Sequence, residues 1–135
     1  MEAAAVDRRV SLTIPAKPDY VVLARLALSA VCRLAPLELE AAADLKLAIT
    51  EAASFLMGGD RRAASRDGDE EVPHMTFTFD LLDDQIVVQV TGEEQPTVSE
   101  EERELSRAII GATADDCTYA DGTMRLTKRL GLTAE

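Results

Sequence analysis

The chain has 135 residues, 25 acidic against 14 basic side chains and a net charge of −11. A chain of that length forms one domain that buries roughly two thirds of the surface its unfolded form exposes. Its charge excludes nucleic acid phosphates and anionic membranes as targets unless a concentrated basic patch exists, and with three phenylalanines, two tyrosines and no tryptophan it has little from which to build a base-stacking platform.

The N-terminal MEAAAVDRR has neither an apolar signal core nor a basic region before one, and no run approaches the ~20 apolar residues of a membrane span. A cytoplasmic protein is expected. Cys32 and Cys117 lack CxxC spacing and are read as free thiols in a reducing compartment rather than a disulfide framework.

In RRVSLTIPA, Val10, Leu12 and Ile14 alternate with Arg9, Ser11 and Thr13, the two-residue period of a half-buried strand, which Pro15 and Pro18 end. From Asp19 the period changes. Leu23, Leu26, Ala27, Ala30, Val31 and Leu34 fall three and four apart, the buried stripe of a helix that Pro36 stops. A second helix runs from about Glu38 to Met57 and is closed by Gly58 and Gly59. It is apolar over most of its surface, with Glu40, Asp44 and Glu51 along a narrow polar strip, so it packs centrally against a sheet.

Residues 58 to 73 carry charges, glycine and no periodicity; they are expected to form a flexible loop in which the arginines of DRRAASRDGDEE are answered by acids. Two alternating runs follow, Met75, Phe77, Phe79 and Leu81, then Ile86, Val88 and Val90, with a turn around Asp83 and Asp84, an antiparallel hairpin. TGEEQPTVS is a polar loop. Ser99 and Glu102 then have the spacing of a capping box, ahead of a helical stripe of Leu105, Ala108, Ile109 and Ala112. Asp121 and Gly122 form a turn before a last strand in which Met124 and Leu126 face one way. Strand, helix, helix, strand, strand, helix, strand is an α+β order, a two-layer sandwich whose mostly antiparallel sheet is covered on one face by helices, in a single domain over residues 9 to 130.

Isolated features carry little chemistry. His74 has no histidine or cysteine at ligand spacing, so no metal site is expected. Asp115 and Asp116 are read as acids at a helix end or loop, and Cys32 as a packed side chain.

TIPAKPDYVVLARLALSAV, DLKLAITEAA, QIVVQV and IIGATADDCTYADGTMRLTKRL, taken in that order, resemble the histidine-kinase-like (GHKL, Bergerat-fold) ATPase domain of the serine-kinase anti-sigma factors, the RsbW-like family. In that family a helical glutamate acts as general base and an asparagine four residues later coordinates the magnesium on ATP. The resemblance places Glu51 at the glutamate and Phe55 at the asparagine. A phenyl ring offers no oxygen to a cation that demands octahedral oxygen coordination.

The family's adenine-reading aspartate falls at Gly92, which has no side-chain acceptor, and a glycine of the turn after it falls at Glu94. The glycines that let backbone amides approach the phosphates fall at Glu104 and Ser106. Three parts of one nucleotide site are thus altered, and no cofactor is expected.

The resemblance implies an anti-sigma or partner-switching regulator, of the kind that acts in stress responses. It would bind a sigma factor, a STAS-type antagonist or both without ATP, and could form a homodimer. An ATP- and Mg2+-dependent serine kinase of the antagonist, with Glu51 as catalytic base, is the enzyme alternative; a non-catalytic scaffold that pairs with another ATPase-like chain is the third reading.

Overall fold

The computed structural model describes residues 8–35, 37–57, 73–92 and 98–130. Strand β1 (Arg8–Pro15) leads through a single 3-10 turn (Pro18–Tyr20) into helix α1 (Val21–Cys32) and then α2 (Leu39–Leu56). The hairpin β2 (His74–Leu81) and β3 (Gln85–Gly92) follows, then helix α3 (Glu100–Thr113) and a second hairpin, β4 (Asp116–Ala120) and β5 (Thr123–Arg129). The five strands form one sheet in the order β1-β2-β3-β5-β4, every neighbouring pair antiparallel. This is the α+β sandwich of the sequence reading, with one strand more. The Gly58-Gly59 helix stop and the loop reading lie outside the described residues, except Pro73, whose carbonyl accepts a hydrogen bond from the Ala16 amide at 2.8 Å.

The missed strand is β4. DCTYA is short, and all five residues are exposed, so the only apolar alternation is Cys117 with Tyr119. What makes it a strand is the next dipeptide. Asp121 (φ 53°) and Gly122 (φ 78°) both have positive φ, the conformation of a two-residue hairpin loop whose twist matches its flanking strands.

Register places the core. Phe77 lies opposite Val90, Phe79 opposite Val88, Val88 opposite Leu126 and Val90 opposite Met124, so these side chains share the helix-covered face. Each is at most 4% exposed, and burial of each such side chain contributes about 1.5–3 kcal/mol. The other face is polar apart from the buried Val87: Thr13 and Thr76 hydroxyls meet at 3.0 Å, and Thr91 and Thr123 at 2.9 Å. Arg9 forks onto the buried Asp80 through Nε and Nη2 at 2.5 and 3.1 Å, tying edge strand β1 to β2. That carboxylate raises the guanidinium's already high pKa.

Two helical stripes differ from the reading above, although Val31 of the expected first stripe is buried. In α1 the buried residues are Val21, Ala24, Leu28 and Val31, whereas Leu23 and Leu26, and Leu34 in the turn beyond the helix, are exposed. VVLARLALSAVC has polar side chains only at Arg25 and Ser29, so two stripes satisfy the helical period and periodicity cannot choose between them. In α3 the buried positions are Ser106, Ile110 and Thr113, while Leu105, Ala108 and Ala112 face outward and Ile109 is half-buried. Contacts of α3 with α2 fix that rotation. Lys128 Nζ of β5 also donates to the Thr113 carbonyl at 3.3 Å and lies 3.8 Å from the Asp44 carboxylate of α2.

Candidate functional site

Glu51 and Phe55 stand one helical turn apart on α2, so their side chains leave the same side of the helix. Glu51 is met from α3. Ser106 Oγ donates to Glu51 Oε2 at 2.5 Å, bringing together two of the positions singled out above. That bond takes one of the roughly four acceptor sites of the Glu51 carboxylate.

Phe55 is 5% exposed. Its ring meets Tyr119 edge to face, centroids 5.4 Å apart and planes at 86°, and the Arg103 guanidinium sits 5.8 Å from its centroid. Aromatic edge contacts and cation–π contacts each stabilise by about 0.5–1.5 kcal/mol beyond area burial. Sequence reasoning named neither Tyr119 nor Arg103. The alternation of Cys117 and Tyr119 ahead of the Asp-Gly turn would have placed Tyr119 on the helix face, and Arg103 stands three residues before Ser106 on α3.

The start of α3 is sealed. Ser99 Oγ accepts from the Glu102 amide at 3.1 Å, Glu102 Oε1 accepts from the Ser99 amide at 3.2 Å, and the Arg103 amide already donates to the Ser99 carbonyl at 2.9 Å. Glu104 and Ser106 therefore lie inside the helix, where amides are taken up by the intrahelical ladder. Three carboxylates, Glu100, Glu101 and Glu102, occupy the first turn and complement the helix dipole that an incoming phosphate would use. The capping box makes a first prediction: Ser99→Ala should lower unfolding free energy by about 1 kcal/mol in chemical denaturation.

Gly92 ends β3, and its amide donates to the Gly122 carbonyl at 3.0 Å. A Cβ built at Gly122 would stand 3.5 Å from the Gly92 carbonyl oxygen, an ordinary contact, so it is the φ of 78° that favours glycine there. Glu94 lies outside the described residues. The structure thus unites Glu51, Phe55 and Ser106, while Glu104 is exposed on α3.

A cleft of about 470 Å3 opens beside this cluster, between α3 and the β4-β5 hairpin, with Phe55 on its wall. Asp115 and Asp116 are at its edge with structural partners: Asp115 Oδ2 accepts from the Arg129 amide at 2.6 Å, and Asp116 is 3.9 Å from the Arg129 guanidinium. Cys117 also borders it as a free thiol, its pKa pushed up by desolvation against an opposing pull from Arg107. Among the described residues no three histidine, cysteine or acidic side chains are grouped to hold a metal ion, and no helix is long and apolar enough to cross a membrane.

No protein-family model matches the chain. Over 88 residues, 65% of its length, it is 33% identical to the serine-protein kinase RsbW of Listeria innocua. It matches the serine-protein kinase RsbW of two Listeria monocytogenes strains with the same identity, 33%, over the same 88 residues. The matched stretch is 52% of each relative, so the chain spans about half the length of the curated relatives it matches.

Proposed function

Starting from a chain that is RsbW-like, as its motifs anticipate, we propose that it is a cytoplasmic partner-switching regulator that binds a sigma factor, a STAS-type antagonist or both, without ATP. The observation that carries the ATP-independent part is Phe55. Where the family's resemblance expects an oxygen ligand, this chain has a buried ring held by Tyr119 and Arg103. The engagement of Glu51 by Ser106 and the sealed, acidic start of α3 support the same reading.

Binding needs a surface rather than a phosphoryl donor. α1 supplies one: Val22 and Leu23 (each 43% exposed) and Leu26 (61%) lie along its outer side, and Leu34 (53%) follows in the turn after the helix. Apolar side chains arranged in a stripe, at helical spacing and without cover, are what a protein partner buries. The net charge of −11 favours a partner with a basic face and speeds the encounter.

The kinase reading keeps two observations in its favour. Glu51 is present, and the relatives are named serine-protein kinases. Calorimetric titration of the nucleotide-stripped protein with Mg-ATP, taken into the millimolar range, separates the two. No heat of binding is expected, together with retention of a sigma factor by the immobilised chain without added nucleotide. Saturable, magnesium-dependent heat would replace this proposal with the kinase.

A further inference from the structure

We infer that the cleft between α3 and β4 is a binding site for a small planar aromatic molecule carrying one negative charge. Its volume, about 470 Å3, is in the range that encloses such molecules. Phe55, Ile110 and Met124 give it apolar walls, and Tyr119, 36% exposed, leaves ring surface available inside it.

Charge selects the ligand's sign. Arg103 and Arg107 stand on successive turns of α3 and both line the cleft. Arg103 lies over the Phe55 ring and is 4.0 Å from the largely exposed Glu100 carboxylate, a weak competitor. Arg107 makes no ion pair with any described residue, although the chain carries a net charge of −11. Guanidinium groups both stack on aromatic planes and pair with carboxylates or sulfonates. Asp115 and Asp116 at the other end of α3 would repel a polyanion, which limits the ligand to a single charge.

Gly111 adds an independent observation. It sits inside α3, where glycine is disfavoured relative to alanine, and a Cβ built there meets nothing within 4 Å. Helix packing therefore does not require glycine at this position, yet its missing side chain keeps the cleft wide. Phe55 and Ser106, two of the altered nucleotide positions, line the cleft, whereas Glu51 and Gly92 do not.

The test uses the whole chain and two fluorescent probes of similar shape, anilinonaphthalene sulfonate, an aromatic monoanion, and the neutral N-phenylnaphthylamine. The sulfonate should bind saturably at one site, tighter than the neutral probe. Arg107→Glu should weaken the sulfonate at least about tenfold and leave the neutral probe within about twofold. Gly111→Leu should abolish both without lowering the melting temperature. Non-saturable binding, equal sulfonate affinity in Arg107→Glu, or full binding by Gly111→Leu would each overturn the assignment. Should Gly111→Leu destabilise the fold, the exposed Arg107 substitution still decides.

Discussion

Phe55→Asn, which restores the side chain that the family resemblance expects, should destabilise the domain by about 4 kcal/mol and still not create a site for Mg-ATP. Truncating a buried phenylalanine costs about 3–5 kcal/mol through lost transfer energy and the cavity left behind. Phe55 has 5% exposure, and its loss also removes the edge contact with Tyr119 and the Arg103 contact. The asparagine amide refills part of the volume but must find partners where Phe55 needed none, and an unsatisfied buried amide costs a further 1–3 kcal/mol or so. Against a total stability of about 5–15 kcal/mol, the change should be plain in urea denaturation followed by circular dichroism.

Nucleotide binding should stay absent because the asparagine repairs only one part. Gly92 would still have no acceptor side chain, and α3 would still begin with its capping box and three glutamates. Magnesium-dependent ATP binding by Phe55→Asn, measured calorimetrically under conditions where the variant is folded, would mean that the other parts work and that a single residue separates this chain from an ATPase site.

The fold was legible wherever a segment had only one way to satisfy its period. Phe77 and Phe79 alternate with Thr76, Thr78 and Asp80, and Val90 stands between Gln89 and Thr91, so one register alone buries them. The rotation of α1 was not legible, because its sequence is apolar on both sides and the choice belongs to whatever packs against it. The same limit applies to α3, where Ser106 turns inward toward Glu51 while Leu105 turns out. Glu51, Phe55 and Ser106 could be named from the resemblance, but the hydrogen bond between the first and last joins residues 55 apart in sequence. Local patterns carry no information about that contact. Tyr119 was hidden for another reason: its strand is short and wholly exposed, and its identity as a strand depends on the backbone of the next two residues.

The ambiguity of α1 also carries the second large effect. Leu26→Glu should reduce affinity for the protein partner at least about 100-fold, a loss of ~2.7 kcal/mol, while changing unfolding free energy by no more than about 0.5 kcal/mol. Leu26 is 61% exposed, so the free protein surrenders little burial when it is replaced. Leucine and glutamate are also close in helix propensity. In a complex the same position would place an unpaired carboxylate against apolar surface, and desolvation of that charge opposes association.

Leu28, two residues on and fully buried, separates surface from core: Leu28→Ala should cost about 2–5 kcal/mol of stability. Leu105→Glu separates place from charge. It adds the same negative charge at a residue equally exposed, 61%, but on α3. If Leu26→Glu binds like the unaltered chain, α1 is not the docking surface. If both glutamate variants lose binding equally, net charge rather than the α1 stripe governs the encounter; loss in Leu26→Glu alone assigns the interface to α1.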